Sequence, residues 1–432
     1  MSLWKNAPID SRAHAAVAAN GLDYRVIDTA DRAEFDPYLQ AEMRGFLAGE
    51  QTDEQIGGAR DGLSFRRFIG VYDPASAHPE QPVGTVNSWV TDVTLPGGRT
   101  LPMWAVSGVT VAPTHRRKGI ARAMLEGELR TAADAGLAIA GLTVSEATIY
   151  GRFGFSPATY ATDWRIDTRR AAWVGPRPDG RLDFVSRERL RDELADLHGR
   201  IRTARPGEIE AWPGLWRRMS GLVPGQQDAQ KLRAVRYADP AGATRGLVVY
   251  RLADEGEDFT KHELQVHYLL SETADAYAAL WRFVLEHDLV SVVQASLRSV
   301  DEPVRWMIAD QRGAHVTTSE HGWLRILDVP TVLGARTYAC AASLTLRVTD
   351  PLGFADGTWT LEIDGEGAPT VRPTDAEPDV TLSVNALSSL VLGGVRASVL
   401  SAAGLLAAER HSAVAMDRAF ASVDTPFLSL WY

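Results

Sequence analysis

The chain has 432 residues, too many for one ordinary domain, and a working length of roughly 150 residues per domain suggests about three. Its 45 Lys and Arg against 55 Asp and Glu leave a formal charge of −10, the wrong sign for a nucleic-acid binder, and no basic, aromatic-rich stretch offsets it. One cysteine, Cys340, excludes an internal disulfide and a cysteine-based zinc site, and no run approaches the ~20 apolar residues of a membrane helix.

Residues 1–10 lack an apolar stretch of signal-peptide length, so the expected compartment is the cytoplasm. Residues 23–28 alternate like a short strand, and 31–47 read as a helix with Asp31 as N-cap. Residues 65–72, 82–93 and 100–111 are rich in β-branched and aromatic side chains and are separated by turn residues, as expected of antiparallel neighbours. Residues 117–136 carry Ile120, Met124 and Leu125 on one helical face, with Gly136 as the stop, and 137–144 form the next strand.

A turn-rich break at 176–180 opens a second unit. There, 245–252 and 263–270 read as a hairpin and 274–287 as a helix, so the unit repeats the pattern of the first as a degenerate copy. Strands at 323–329, 343–348, 358–363 and 379–384, with helices at 386–392 and 398–406, describe an α+β third unit. Cys340 sits in an apolar-leaning run and is expected to be a buried structural thiol. Residues 427–432, Phe-Leu-Ser-Leu-Trp-Tyr, are too apolar for a free end and are expected to pack. The boundaries read from this pass are 1–168, 169–320 and 321–432.

The most informative stretch is Val109-Thr110-Val111-Ala112-Pro113-Thr114-His115-Arg116-Arg117-Lys118-Gly119-Ile120-Ala121, which joins an extended run to an amphipathic helix. The first N–H groups of such a helix lack internal partners and its dipole adds positive charge, which suits a diphosphate. Gly119 lets oxygens approach the backbone, Ala121 keeps the next inward position small, and Arg116, Arg117 and Lys118 supply charge. His115 is expected to be structural rather than a base.

Arg116-x-x-Gly119-x-Ala121 resembles the acetyl-CoA motif of the GNAT acetyltransferase superfamily. Val109-x-Val111 resembles the strand whose backbone pairs with the pantetheine arm there. Downstream, Ser145-Glu146-Ala147-Thr148-Ile149-Tyr150-Gly151-Arg152-Phe153-Gly154-Phe155 is similar to the segment after the fourth strand of the Eis (enhanced intracellular survival) family, as are 327–330 and 335–338. The resemblance covers essentially the whole chain. It implies tandem GNAT-like α/β domains followed by a sterol-carrier-protein-like α+β domain, acetyl-CoA as co-substrate and no metal. Val109, Thr110, Val111, residues 116–121, Ser145 and Glu146 would then contact the coenzyme.

It further implies Tyr150 as general acid toward the departing thiolate and the terminal carboxylate of Tyr432 as general base. Phenols and thiols ionise near 10 and about 8.5, so a tyrosine is chemically suited to that role. Aminoglycosides and other small amines are the implied acceptors, and a homohexamer the implied assembly. Asp31, Glu34, Phe35, Asp36, Tyr38 and Glu42 are the candidates for an amine pocket. Two other readings stay open: a carrier of apolar ligands with a degenerate transferase site, and a protein lysine acetyltransferase.

Overall fold

The computed structural model describes residues 4–253, 258 and 260–432; the first three residues of the N-terminal segment read above lie outside these. The first unit runs α1 (Ser11–Ala18), β1 (Asp23–Val26), α2 (Arg32–Gly45), α3 (Asp53–Leu63), β2 (Arg67–Tyr72), β3 (Gly84–Thr94), β4 (Thr100–Val111), α4 (Ile120–Asp134), β5 (Ile139–Thr143), α5 (Ala147–Tyr150) and β6 (Ser156–Pro157). The second runs β7 (Tyr160–Asp167), β8 (Arg181–Phe184), α6 (Arg187–Ile201), α7 (Pro213–Met219), β9 (Arg233–Ala238), β10 (Thr244–Ala253), β11 (His262–Ser271), α8 (Ala274–Leu285), β12 (Val290–Arg298) and β13 (Ala314–Glu320). Then come β14 (Gly322–Ile326), α9 (Val329–Ala335), β15 (Ala342–Thr349), β16 (Gly357–Ile363), β17 (Pro369–Pro373), β18 (Val380–Ser383), α10 (Val384–Leu390) and β19 (Leu406–Ala408).

Three sheets result, ordered β1-β2-β3-β4-β5-β14-β6, β13-β7-β12-β11-β10-β9-β8 and β17-β16-β15-β18-β19. The copy expected in the second unit is real: β11 and β12 pair in parallel around α8 as β4 and β5 do around α4. The sheets do not divide at residues 168 and 320. Strand β7, read with the first unit, pairs with β12 and β13, while β14, read with the third, pairs with β5 and β6. An open sheet edge seeks any complementary strand, and sequence distance does not enter that choice.

Local signals explain most elements. Asp31 caps α2, accepting from the Ala33 N–H at 2.8 Å. Helix α3 was not anticipated because Gly57, Gly58 and Gly62 lower its propensity, although Thr52 and Gln55 form a capping box. Helix α4 begins at Ile120, later than the expected 117, because Arg117 (φ 64°) and Gly119 (φ 75°) are left-handed. Cys340 is exposed, in the irregular link between α9 and β15, so the buried-thiol expectation is corrected.

Core packing crosses the units. One apolar cluster joins Trp89 of β3, Leu194 of α6, Leu247 of β10, Leu346 of β15 and the tail residues Leu428 and Leu430. A second packs α4 onto the opposite face of the first sheet through Ile120, Met124 and Leu125 against Val86, Trp104 and Leu142. Arg67 and Glu128, both buried, pair at 2.6 Å and clamp β2 to α4, and Glu128 also accepts from the Trp104 indole at 3.1 Å.

Candidate acyl-transfer site

Strands β4 and β5 are joined only at Trp104–Ala140 and Ala105–Gly141. Beyond that fork, β4 continues through Val111 and β5 through Thr143 without pairing, so the sheet opens into a V. The other edge of β4 remains bound to β3, except where the register shifts between Thr85 and Asn87. Opposite that shift Gly108 has φ 62°, and the Thr85 hydroxyl donates to its carbonyl at 2.8 Å. The inner edge carrying Val109, Thr110 and Val111 thus has no strand partner. Strand backbone in that state accepts an extended ligand by the same hydrogen bonds a neighbouring strand would make.

The arm of β4 leads into the loop before α4. Arg116, Arg117 and Lys118 are exposed, and none forms an ion pair with a described carboxylate. A Cβ on Gly119 would meet no protein atom within 4 Å, so the space in front of it is open to a ligand. Left-handed residues at 117 and 119 before a helix N-terminus expose backbone N–H groups, a cradle for a diphosphate. His115 is engaged on both ring nitrogens, by Asp73 at 2.9 Å and Thr114 at 2.8 Å, which fits a structural role. Gly119→Glu places a carboxylate and a strained φ in the cradle; a roughly 10- to 100-fold loss of acyl-CoA affinity is expected by calorimetry.

Ser145 and Glu146 follow β5, and Tyr150 closes the short helix after them. The Tyr150 ring is buried and meets Phe155 edge-on at 6.3 Å. Burial, with the Glu146 carboxylate nearby, pushes the phenol up to about 12, so it stays protonated and is a donor rather than a base. The turn behind it is tied down from elsewhere: Asn385 of α10 donates to the Gly151 and Phe155 carbonyls at 2.7 and 2.9 Å, and Arg325 of β14 to Phe153 at 2.8 Å.

The tail threads between all three units. Phe427 N–H donates to Pro206 at 2.8 Å, the Ser429 hydroxyl meets Tyr268 at 3.0 Å, and His321 Nε2 lies 2.8 Å from the Leu430 carbonyl. The Tyr432 ring packs edge-on against Trp89 at 5.3 Å, and the Thr143 hydroxyl donates to the Tyr432 carboxyl oxygen. That carboxyl therefore stands on the β5 arm of the V.

Of the amine-pocket candidates, most are spent on structure. Asp31 caps α2, Glu34 accepts from the Asp28 N–H at 2.7 Å, and Asp36 pairs with Arg32 and Arg60. Phe35 and Tyr38 are core residues against Phe68. Among the carboxylates Glu42 reaches the sheet face beside the bulge, and the Tyr38 hydroxyl borders it there. A Cβ on Gly108 would lie 2.5 Å from Glu42 Oε1. Four residues missed from the sequence complete this face. Asn87 donates to Glu42 at 3.3 Å and accepts from Arg66 at 3.0 Å, and the Arg66 guanidinium lies 3.8 Å over the ring of Trp89. Thr143 is the fourth. Asn87 carried no distinguishing signal, because β3 also holds Thr85, Ser88, Thr91, Asp92 and Thr94.

Three family models match the chain: an acetyltransferase (GNAT) domain at residues 26–158, a second at 207–326 and a sterol carrier protein domain at 329–429. A splayed sheet, a bulged strand and an anion cradle at one fork make this a GNAT N-acetyltransferase, a class that uses acyl-CoA. The Eis N-acetyltransferase of Mycobacterium tuberculosis is 36% identical over 77% of this chain and 81% of its own. An uncharacterised N-acetyltransferase of Streptomyces avermitilis is 32% identical over 91% and 94%. The crystal structure of Eis1 from Mycobacterium abscessus superposes with a TM-score of 0.80 at 30% identity, covering 95% of this chain and all of that one. The chain belongs to the Eis-like GNAT N-acetyltransferases, two GNAT domains followed by a sterol-carrier-like domain.

Proposed function

We propose that the protein transfers acetyl from acetyl-CoA to amines of small, polycationic acceptors such as aminoglycosides, at more than one position, by direct attack of the amine on the thioester. One observation carries this reading: the Tyr432 carboxyl is fastened to Thr143 on the β5 arm of the V, beyond the fork with β4. The diphosphate lies against Arg116, Arg117, Lys118, Gly119, Ile120 and Ala121. The pantetheine arm runs along Val109, Thr110 and Val111 and passes Ser145 and Glu146.

The amine nitrogen attacks the carbonyl carbon, and backbone N–H groups at the bulge stabilise the oxyanion. As the C–S bond breaks, Tyr150 donates to the thiolate while the Tyr432 carboxylate takes a proton from nitrogen. Burial raises the Tyr150 phenol, and it raises a thiol enclosed with it in the same direction, which opposes a widening of the gap between donor and acceptor. The net charge of −10 favours cationic acceptors over long range. Assembly as a hexamer belongs to the same reading and is checked by sedimentation.

Acetyl-CoA turnover against aminoglycosides, polyamines and lysine peptides, with product masses, tests the substrate claim; coenzyme binding with no acceptor acetylated would refute it. Tyr150→Phe is expected to lower kcat by about 10²-fold with acetyl-CoA affinity unchanged. An unchanged kcat would remove the phenol from the chemistry.

A further inference from the structure

Turning an ammonium into an amide removes two protons from one nitrogen. The first must leave before attack, because an ammonium has no lone pair. The second leaves the tetrahedral adduct. One of the two replaces the proton that Tyr150 gives to the coenzyme sulfur, and the other goes to solvent. A single carboxylate has to empty itself between the two steps, whereas two carboxylates at the site divide them.

The site has a second carboxylate. Glu42 lies against Gly108 on the β4 arm, and the Tyr432 carboxyl lies at Thr143 on the β5 arm. At about 3.3 Å per strand residue, these stand roughly 10 and 7 Å along the two arms from the last paired residues, both beyond the point where the arms part. A line of contacts joins them over the same sheet face: Glu42 to Asn87, Asn87 to Arg66, Arg66 to Trp89 and Trp89 to Tyr432. Helix α4 covers the opposite face. Glu42 Oε1 accepts from Asn87, while Oε2 is enclosed and has no partner among the described residues; Arg66 Nε is likewise enclosed and unpartnered. Buried polar atoms left open at a site are where a ligand supplies the missing bond. Tyr38 and Arg66 are the titratable groups facing Glu42, from α2 itself and from the residue before β2. From β3 and β4 the facing groups are the neutral Asn87 and Gly108.

Resting on the transferase reading above, we infer that Glu42 is the first proton acceptor: its carboxylate binds the acceptor ammonium at the bulge and takes the proton that frees the lone pair. Attack then forms the C–N bond, the C–S bond breaks, and the Tyr432 carboxylate receives the second proton from nitrogen. The order follows from base strength. The first proton must come off an ammonium, a weaker acid than the cationic adduct, and so needs the stronger base. Burial, opposed by Arg66 and by the Asn87 amide, pushes Glu42 up to about 7, close to the best value for a base at neutral pH. Gly108 is required sterically, since a side chain there would occupy the place of the Glu42 carboxylate.

The test uses the full chain, acetyl-CoA and an amine it turns over, with kcat followed from pH 5 to 9. Glu42 must be ionised to act, so the wild-type rate rises with pH through a midpoint near 7. Glu42→Gln is expected to abolish that rise and to lower kcat by about 10²-fold or more, with acetyl-CoA affinity intact by calorimetry. Asn87→Ala, which removes the amide donating to Glu42, is expected to move the midpoint upward, and it serves alone if the first variant does not fold. A rise retained in Glu42→Gln, or a midpoint unmoved in Asn87→Ala, overturns the assignment while leaving the transferase reading intact. A wild-type chain that acetylates no amine overturns both.

Discussion

Adding three residues after Tyr432 is expected to lower kcat by about 10²-fold or more while the melting temperature changes by no more than about a degree. The tail reaches the fork through Phe427, Leu428 and Leu430, which are buried, and through hydrogen bonds from Phe427 and Ser429 and to Leu430, all upstream of the added residues. Those contacts survive the extension, so folding is spared. The Tyr432 carboxylate does not survive it. An amide stands in its place at Thr143, and an amide cannot take a proton from nitrogen at these pH values. Steady-state kinetics beside a thermal scan decides the matter. Normal turnover in the extended chain would take Tyr432 out of the chemistry. A collapse of the melting temperature would make the tail a structural plug.

Asp350→Ala is expected to cost about 3–5 kcal/mol of stability, the range for stranding one member of a buried ion pair. Asp350 lies just after β15 and receives Arg325 of β14 on both oxygens, at 2.8 and 2.7 Å, with both side chains fully enclosed. It also accepts from the Leu352 and Ala355 N–H groups at 3.1 and 2.9 Å. The guanidinium left behind would be an uncompensated charge in the core. A fall in melting temperature on the order of 10 °C follows. Because Arg325 also holds the Phe153 carbonyl, the Tyr150 turn should loosen and kcat should fall with it. The double variant Arg325→Met, Asp350→Leu removes both charges and should recover the part of the loss due to the stranded guanidinium, while the Leu352 and Ala355 N–H groups and the Phe153 carbonyl stay without their side-chain partners. A single variant that melts normally would show that solvent reaches the guanidinium.

What the sequence determined by itself is local. Gly119 and the arginines before it mark a strand-to-helix junction with the geometry of an anion cradle, because cap geometry, left-handed φ and helix dipole are set within a few residues. Apolar spacing located α4 and α8, β-branched runs located β2 to β4, and the apolar tail announced its own burial. Tyr150 and Tyr432 were named from family resemblance, since one tyrosine looks like another until its neighbours are known.

Only the tertiary structure decided the rest. That β14 borders β5, that β7 leaves the first sheet, and that Glu42 rather than Asp31, Glu34 or Asp36 reaches the fork are outcomes of long-range pairing. So is the meeting of Thr143 with Tyr432. Each depends on which surfaces remain unsatisfied once neighbouring elements have formed. Hydrogen-bond edges and apolar faces are satisfied by whatever complementary partner the whole chain supplies, and no window of sequence encodes that partner.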